Sequence, residues 1–395
     1  MIKLFQQASG LLDKIEQAGF EAYFVGGAVR DMLLKKPISD VDIATSATPL
    51  EVKALFPNTV DVGIEHGTVI VMHDGDPYEV TTFRREGGYE DFRRPSEVKF
   101  IRSLREDLQR RDFTMNAIAM DKNYKLIDPF SGASAIRRKL ICTVGDPDER
   151  FSEDALRMMR AVRFVSQLSF SMDPEVFEGI KKNGPILSNM AVERLLAEFN
   201  KLMEGGSRTR ALKILLDSGL YQYVPGLSHQ QEALRKFIGL NPSGLKDGLD
   251  SWVLLASLMN QDGADAFLNS WKMSMKQFKS IKSHLLYLNM RSQGPLGKKS
   301  LFEAGKETAV RVERVFAARM GVSPQSQVEN VYDSLPVHHM NDLNVNGNDL
   351  LDWTGKKGGP WVKELLSLIL TGVLEERVKN DKEAVREWLV ECNRI

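Results

Sequence analysis

The chain has 395 residues, of which 43% are hydrophobic and 27% are charged, and this composition excludes a chain that is disordered throughout. At about 150 residues per domain the length favours roughly two to four domains with a sizeable core. Basic and acidic residues each number 53, so the net charge of zero argues against nucleic-acid binding through bulk charge and leaves local basic patches open.

Two further classes are excluded by the distribution of apolar residues and cysteines. No apolar run approaches the roughly 20 residues of a membrane-spanning helix, and the N-terminal segment lacks the apolar core of a secretory signal. Cys142 and Cys392 lie far apart and form no CxxC pair, which excludes a disulfide framework and a cysteine zinc site. We therefore expect a cytoplasmic protein.

Residues 1–146 show a mixed pattern of helices and strands. In chain order the pattern predicts a helix at 4–18, a strand at 22–25, a helix at 29–34 and strands at 40–44, 68–72 and 78–83. Residues 84–98 are rich in Gly, Arg, Glu and Asp and break this periodicity. They predict a long mobile loop, which in a compact domain is usually functional.

Helical periodicity dominates from residue 147 onward. Apolar residues at three- and four-residue spacing predict helices at 153–164, 191–203, 208–218 and 251–259. The sequence therefore predicts an α+β protein. Its N-terminal head is mixed α/β with a small β-sheet, and the remainder is all-α.

A basic stretch lies within the helical part. From Lys272 to Lys299 there are seven Lys or Arg residues and no acidic residue. A solvated helix face and a surface for a polyanionic partner both fit this pattern, and the sequence leaves the two open.

Two carboxylates lie close together in the predicted strand at 40–44. Asp40 and Asp42 are two positions apart, so both project from one strand face with Cα atoms about 7 Å apart. Such a pair repels unless a cation lies between its members, and oxygen ligands of this kind suit Mg²⁺ completed by water and phosphates. Glu79 is a candidate third carboxylate, although an edge-strand salt bridge fits it equally well. A lone DxD pattern is also common in turns.

A glycine pair precedes the second predicted helix. Gly26 and Gly27 end a strand, and Arg30 lies in the first helical turn. Glycines let backbone N–H groups approach a phosphate, and the helix N-terminus and the guanidinium both attract anions. Followed by the pair of aspartates, this pattern predicts a triphosphate held by Gly27 and Arg30 beside its metal ion.

Four ordered blocks resemble one enzyme family. The first resembles the head of polymerase-β-type nucleotidyltransferases, and the others are similar to the RRDFTxNA, EDxxR and ERxxxE blocks of class II tRNA nucleotidyltransferases. They lie at 26–31 with 40–42, at 110–116, at 150–157 and at 191–198. The chain thus resembles the bacterial CCA-adding tRNA nucleotidyltransferases over nearly its whole length. One departure is Ala191, where the family often has Ser, and it weakens the expected cap of that helix.

The resemblance implies four parts. They are a nucleotidyltransferase head or palm at 1–146, a helical neck with the nucleotide-template helix at 147–206, a helical body at 207–330 and a helical tail at 331–395. The body and the tail are expected to bind tRNA. The chain carries no HDxxK-like phosphohydrolase block, so we expect no hydrolase activity in the helical part.

The resemblance also assigns the residues around the sugar and the phosphates. It implies that Arg111 contacts the nucleotide and that Asp112 and Asn116 contact the ribose hydroxyl. A carboxylate and an amide can together select a 2′-hydroxyl, which both donates and accepts hydrogen bonds. Asp40 and Asp42 would be the catalytic residues and would hold two Mg²⁺ ions.

Base selection is implied for the EDxxR block. A carboxylate accepts from the exocyclic amino group that cytosine and adenine share, whereas guanine and uracil carry a carbonyl at that position. The resemblance gives Asp154 and Arg157 this template role, and Arg160 and Arg163 complete the pocket. We expect one helix at 153–164 to carry these four side chains around one side.

The function expected from the resemblance is stepwise addition of C, C and A to the 3′ end of tRNA from CTP and ATP. The partners would be the acceptor and TΨC arms of tRNA and the two nucleotides, without a membrane, and the protein would be a monomer or a homodimer. Retention of residues 84–98 favours complete CCA addition over addition of CC or A alone. A bacterial poly(A) polymerase and an RNA-binding protein without catalytic activity remain alternatives.

Overall fold

The computed structural model of the chain describes residues 2–90, 94–240, 242, 244–324 and 327–395. These residues divide into two compact units. The first comprises the chain up to Arg235 together with Asn269–Lys272, and the second comprises Lys236–Leu268 and Met273–Ile395. The predicted head and neck therefore belong to one unit, which also takes in the start of the predicted body. The four-part organisation itself stays a prediction.

The strands lie almost entirely in the predicted head. They are β1 (Ala22–Val25), β2 (Asp42–Thr45), β3 (Thr59–Gly63), β4 (Thr68–His73), β5 (Asp76–Thr82), β6 (Arg84–Glu90), β7 (Arg94–Phe100), β8 (Ala119–Met120), β9 (Leu126–Ile127), β10 (Leu140–Ile141) and β11 (Ser171–Met172).

Seven strands form one sheet in the order β3-β4-β5-β2-β1-β8-β9. β2 and β5 are parallel, and the other neighbouring strands are antiparallel. Val25 at the end of β1 lies opposite Asp42 at the start of β2. The glycine pair that follows β1 therefore reaches the same end of the sheet as the first aspartate of β2.

Helices make up most of the rest of the chain. They are α1 (Ile2–Gln17), α2 (Gly27–Leu33), α3 (Pro49–Leu55), α4 (Leu104–Gln109), α5 (Gly132–Arg138), α6 (Pro147–Glu153), α7 (Leu156–Leu168), α8 (Pro174–Asn183), α9 (Val192–Glu204), α10 (Arg208–Asp217), α11 (Gln231–Leu240), α12 (Gly248–Ser257), α13 (Gln261–Asn269), α14 (Met275–Gln293), α15 (Lys298–Ala304), α16 (Lys306–Met320), α17 (Gln327–Asp333), α18 (Gly347–Thr354), α19 (Pro360–Leu374) and α20 (Lys382–Glu391). The predicted α+β class is confirmed.

The core of the first unit has two parts. Helix α1 covers the sheet, where the rings of Phe5 and Phe24 meet edge to face with centroids 5.0 Å apart and both are fully buried. Burial of such a side chain contributes about 1.5–3 kcal/mol. Helix α7 packs against both α9 and α10, and its side chains Met159 and Val162 are fully buried. This packing fixes which side of α7 remains for the site described below.

The predicted helix at 153–164 is wrong in one respect. Helix α6 ends at Glu153 and α7 begins at Leu156, while Asp154 between them is extended with φ −141°. The Asp154 carboxylate accepts a bond from the backbone N–H of Leu156 at 3.0 Å. An aspartate favours this cap-like geometry over a helix interior, because its side chain competes for backbone donors. The neck also contains a short strand, since β11 pairs with β10.

Residues 84–98 differ from the predicted irregular loop. Strands β6 and β7 form an antiparallel hairpin, in which Arg84 lies opposite Phe100 and Glu90 lies opposite Arg94. The polar composition hides the alternation on which strand prediction depends. Residues 91–93 lie outside the described part of the chain, and the expected mobility stays a prediction.

The second unit is helical and has its own apolar cluster, in which Leu350, Ile369 and Val385 are almost fully buried. It also contains a buried ion pair, in which the Arg291 Nε donates to Glu313 at 2.6 Å. In the described part of the chain, every helix is too short or too polar to cross a bilayer.

Candidate active site

A cleft of about 1140 Å³ opens in the first unit at the end of the sheet where β1 stops and β2 starts. Every candidate site residue of the sequence analysis lines it: Gly27, Arg30, Asp40, Asp42, Arg111, Asp112, Asn116, Asp154, Arg157, Arg160 and Arg163. Residues that are up to 136 positions apart in the sequence therefore meet around one space.

The turn from β1 into α2 depends on Gly26. Its φ of 73° lies in the left-handed region, where a side chain introduces strain, and a Cβ atom there would lie 3.5 Å from the Asp42 carboxylate. Gly27 has helical geometry, and a Cβ atom would meet the Arg30 side chain at 3.6 Å. The backbone conformation therefore requires glycine at position 26, whereas the sequence analysis had assigned the binding role to Gly27.

Three carboxylates crowd one side of the cleft. Burial, together with the negative charges of Asp40 and Glu79, raises the pKa of Asp42 to about 6 against the opposing effect of the Arg111 guanidinium. Asp40 precedes the strand rather than lying in it. Glu79 lies in β5, which pairs with β4 on one side and β2 on the other and is therefore an interior strand of the sheet. The alternative of an edge-strand salt bridge is wrong. Mutual repulsion of this kind is what a bound cation would relieve.

The donor chemistry fits a divalent cation. Carboxylate oxygens are hard ligands that suit Mg²⁺, and Mg²⁺ usually keeps several waters and takes one or two protein carboxylates with substrate phosphates. Among the described residues, no three acidic, histidine or cysteine side chains are placed to enclose a metal ion. Asp40 and Asp42 can supply the one or two carboxylates of such a site, and the phosphates of a substrate can supply further oxygen ligands.

A chain of hydrogen bonds joins the head residues to α7. Arg30 donates from Nη1 to the Asn116 Oδ1 atom at 2.8 Å, and the Asn116 amide donates to Asp112 Oδ1 at 3.0 Å. The other Asp112 oxygen accepts from the Arg160 Nε at 2.7 Å. Burial raises the pKa of Asp112, but Arg160 and Asn116 outweigh it and hold this pKa at about 2. Asp112 is therefore ionised at neutral pH.

Phe164 supports three of the predicted arginines. The guanidinium carbons of Arg30, Arg160 and Arg163 lie 5.2, 5.7 and 4.2 Å from its ring centroid. Burial lowers the pKa of Arg163 to about 10 despite the attraction of Glu198, whose carboxylate lies 3.1 Å from the Arg163 Nη1 atom. Stacking on an aromatic face stabilises a guanidinium while leaving some of its N–H groups available.

Asp154 and Arg157 have separate partners. The Arg194 Nη2 atom donates to the Asp154 carboxylate at 2.8 Å. Arg157 pairs with Glu153 and donates from Nη2 to the backbone carbonyl of Arg110 at 2.9 Å. Both residues line the cleft, but the structure does not hold them together as one pair. The template role of Asp154 and Arg157 stays a prediction.

Arg111 is held by the helix that precedes it. Its Nη2 atom lies 3.5 Å from the carboxylate of Asp107, and its Nη1 atom donates to the Asn116 carbonyl at 3.2 Å. Burial lowers the pKa of Arg111, and Asp107 opposes that shift. Arg111 is thereby fixed within electrostatic reach of Asp42.

Sequence reasoning missed four residues that hold the predicted ones. Arg194 and Glu198 were named only as parts of the ERxxxE block. Their four-residue spacing on α9 was the available signal, because it puts both on one helix face. Asp31 is the last residue of the block at 26–31, but it was given no role there. Nothing in the pattern around Phe164 distinguishes it from an ordinary core residue.

The basic stretch is only partly available to a polyanion. Four of its seven cations are paired: Lys272 with Glu193, Lys282 with Asp265, Arg291 with Glu313 and Lys298 with Glu376. Lys276, Lys279 and Lys299 are exposed and have no acidic partner among the residues that the structure describes. A surface for a polyanion stays a prediction, and within this stretch it can rest on these three lysines.

Three family models match the chain in order. The "Poly A polymerase head domain" matches residues 22–142, the "Probable RNA and SrmB- binding site of polymerase A" matches residues 169–231, and "tRNA nucleotidyltransferase domain 2 putative" matches residues 245–389. The head match covers the glycine turn and the carboxylates.

Full-length relatives are also similar. The chain is 48% identical to a CCA-adding enzyme of Geobacillus sp. (strain WCH70), covering 99% of this chain and 98% of that protein. It is 45% identical to a CCA-adding enzyme of Bacillus cytotoxicus, covering 99% and 100% of the two chains. The fold is similar to that in a crystal structure of the Bacillus stearothermophilus CCA-adding enzyme in complex with CTP, with a TM-score of 0.91. The two sequences are 45% identical, and the match covers 100% of this chain and 98% of that chain.

Proposed function

We propose that this chain, which belongs to the CCA-adding enzyme family, adds C, C and A stepwise to the 3′ end of tRNA from CTP and ATP and releases pyrophosphate. The observation that carries the proposal is the convergence of the candidate residues of the head and neck on one cleft of about 1140 Å³. Ordinary small-molecule sites span roughly 300–1,000 Å³, so this volume suits a nucleotide together with the end of an RNA strand.

The reaction proposed is in-line displacement at phosphorus. The terminal 3′-hydroxyl of tRNA attacks the α-phosphate of the nucleotide, a new phosphodiester bond forms, and pyrophosphate leaves. Enzymes of this family use divalent metal ions. Here Asp40 and Asp42 would hold two Mg²⁺ ions, which would lower the pKa of the attacking hydroxyl and stabilise the negative charge of the leaving group.

The phosphates and the ribose would bind on the head side of the cleft. Gly27 and Arg30 would hold the triphosphate through backbone N–H groups and a guanidinium. Asp112 and Asn116 would bind the ribose hydroxyl, and Asn116 retains capacity for it. Asn116 uses one of its two N–H groups and one oxygen contact in the bonds described above, so it can still donate and accept.

The base would be selected by protein groups on the neck. Asp154 would accept from the exocyclic amino group of cytosine or adenine, and Arg157 would donate to a ring acceptor. Arg194 fixes the Asp154 carboxylate from α9, which favours a single orientation for base recognition. Guanine and uracil would present an oxygen to the same carboxylate and be rejected.

Replacing both Asp154 and Arg157 with Ala should relax base choice. A good bidentate contact contributes about 1–3 kcal/mol of discrimination, so we expect UTP and GTP to gain roughly ten- to a hundredfold relative to CTP and ATP. Incorporation of each nucleotide into tRNA measures this, and the melting temperature checks that the double variant is folded. An active variant with unchanged selectivity would move the template to other residues.

The second unit would hold tRNA through phosphate contacts. An enzyme that must serve every tRNA gains from contacts that carry no base information. Within the basic stretch, Lys276, Lys279 and Lys299 are the cations available for this role, because the remaining four are paired.

A triple Lys276→Gln, Lys279→Gln, Lys299→Gln variant should bind tRNA about tenfold more weakly at moderate salt. The slope of log affinity against log salt should fall by about 0.7–0.9 for each phosphate that the variant no longer neutralises. Filter binding over a salt series measures both, and the KM for CTP should not change. The matched control is Lys282→Gln with Lys298→Gln, since both of these lysines are ion-paired. Equal weakening in the two variants would contradict the assignment.

We also propose a cytoplasmic location. Both Cys142 and Cys392 are free thiols, which fits a reducing compartment where tRNA is matured.

A poly(A) polymerase shares the head blocks and is the rival to exclude. It would extend many RNAs with ATP alone. We expect this chain instead to act on tRNA that lacks its last three nucleotides and to leave an unrelated RNA of the same length unchanged. Gel analysis of both RNAs with ATP alone and with CTP plus ATP tests the proposal, and long A tracts on either RNA would contradict it.

A further inference from the structure

The Arg30 guanidinium is held from three directions. Asp31 accepts two parallel bonds, from Nε to Oδ1 and from Nη2 to Oδ2, each 2.9 Å long. Asn116 accepts from Nη1 at 2.8 Å, and the Phe164 ring centroid lies 5.2 Å from the guanidinium carbon. The charged group of Arg30 is also largely shielded, with 12% of the side chain exposed. These contacts leave Arg30 one orientation.

The pattern of bonds determines which donors remain. A guanidinium has five N–H groups in a planar fork, and three of them are used by Asp31 and Asn116. The other two are on the Nη atoms. Arg30 lines the cleft beside the glycine turn, so these two groups are the ones that an anion there can reach.

We propose that Asp31 is a positioning residue for the triphosphate, which holds the Arg30 guanidinium with two N–H groups directed into the cleft. Asp31 touches no reacting atom and acts through Arg30. This inference rests on the proposed function, because it takes the anion in the cleft to be the triphosphate of CTP or ATP.

An electrostatic role and a positioning role of Asp31 predict opposite changes in phosphate affinity when its carboxylate is removed. A carboxylate next to a guanidinium cancels part of its attraction for a phosphate, so a purely electrostatic view predicts tighter phosphate binding once Asp31 is removed. A positioning role predicts the reverse. An arginine freed from its fork must be ordered again when the phosphate binds, and that costs side-chain entropy and alignment.

The experiment compares Asp31→Ala with the wild-type chain by calorimetry, with inorganic tripolyphosphate and cytidine as separate probes in the presence of Mg²⁺. We expect tripolyphosphate to bind about tenfold more weakly to Asp31→Ala and cytidine to bind equally well. In the tRNA assay the KM should rise about tenfold for CTP and ATP alike, while kcat stays within about threefold. Asp31→Asn retains one acceptor oxygen, so its affinity for tripolyphosphate and its KM should lie between those of the wild type and Asp31→Ala.

The control is Asp217→Ala, which removes an exposed carboxylate paired with Lys213 and should change neither probe. Unchanged or tighter tripolyphosphate binding to Asp31→Ala would overturn the inference, and so would an equal loss for tripolyphosphate and cytidine. Failure of the wild-type chain to extend tRNA would instead contradict the proposed function, and the binding comparison needs no tRNA, so the two failures are distinguishable.

Discussion

Asp40→Ala and Asp42→Ala should each lower nucleotide addition by about a thousandfold or more while leaving tRNA binding intact. Asp40, Asp42 and Glu79 all line the cleft. Burial is the larger cause of the raised pKa of Asp42, and the negative charges of Asp40 and Glu79 raise it further. A cation held at this point stabilises charge that develops only in the transition state, so a missing ligand should remove several kcal/mol from that stabilisation.

Single-turnover addition of C to tRNA measures the effect, and filter binding measures tRNA affinity in the same preparations. Asp76→Ala is the matched control, because Asp76 is an exposed carboxylate at the start of β5, the strand that carries Glu79. Removing a charge from a crowded cluster should not destabilise the fold, so melting temperatures should stay close to that of the wild type. Addition within about tenfold of the wild type for either aspartate variant would refute the metal assignment.

Shortening residues 86–94 should leave both C additions nearly normal and slow the addition of A by about a hundredfold. One pocket must accept cytosine twice and then the larger adenine, so an element at its rim has to move between these steps. Arg84 and Val98 at the base of the hairpin line the cleft. The backbone N–H of Arg84 donates to Asp107 at 3.3 Å, so the base is tied to the helix next to Arg111.

The lengths of the products on a sequencing gel show where addition stops. A second variant that keeps the length but replaces residues 86–94 with Gly and Ser separates the effect of length from that of the side chains. Complete CCA product at an unchanged rate in the shortened variant would mean that the hairpin is only a connector. Equal loss of C and A addition would mean that it supports the whole site.

The parts predicted from sequence are those in which chemistry and local geometry coincide. The glycine turn, the pair Asp40 and Asp42, and the arginines of α7 are each recognisable from a short block, and the structure brings them to one cleft. Strand β1 was predicted as a short apolar run that stops at the glycine pair, and three of its four residues are buried. In β4 and β5, buried residues alternate with more exposed ones, as in a strand with one buried face. Such signals lie within a few residues of one another.

The parts that were missed depend on distant neighbours. Strand β3 exposes Val60 and Val62 and lies at the edge of the sheet, while β8 and β9 have two residues each, too few for any periodicity. The helix predicted through Asp154 failed because a cap interaction with Leu156 competes with helical geometry.

Charge partners are equally invisible in one dimension. The basic stretch reads as seven equivalent cations, yet Arg291 lies buried against Glu313, 22 positions away. Lys298 pairs with Glu376, 78 positions away. A count of charges along the chain cannot separate such residues from Lys276 and Lys279, which remain available for RNA phosphates.

The central claim is that one cleft adds C, C and A in that order, and product lengths with single nucleotides test it most directly. Purified protein is incubated with tRNA that lacks its last three nucleotides, Mg²⁺, and each labelled nucleoside triphosphate alone or together. We predict two additions with CTP alone, none with ATP, UTP or GTP alone, and three with CTP and ATP together. Extension by ATP alone, or arrest after two additions when both CTP and ATP are present, would contradict the account.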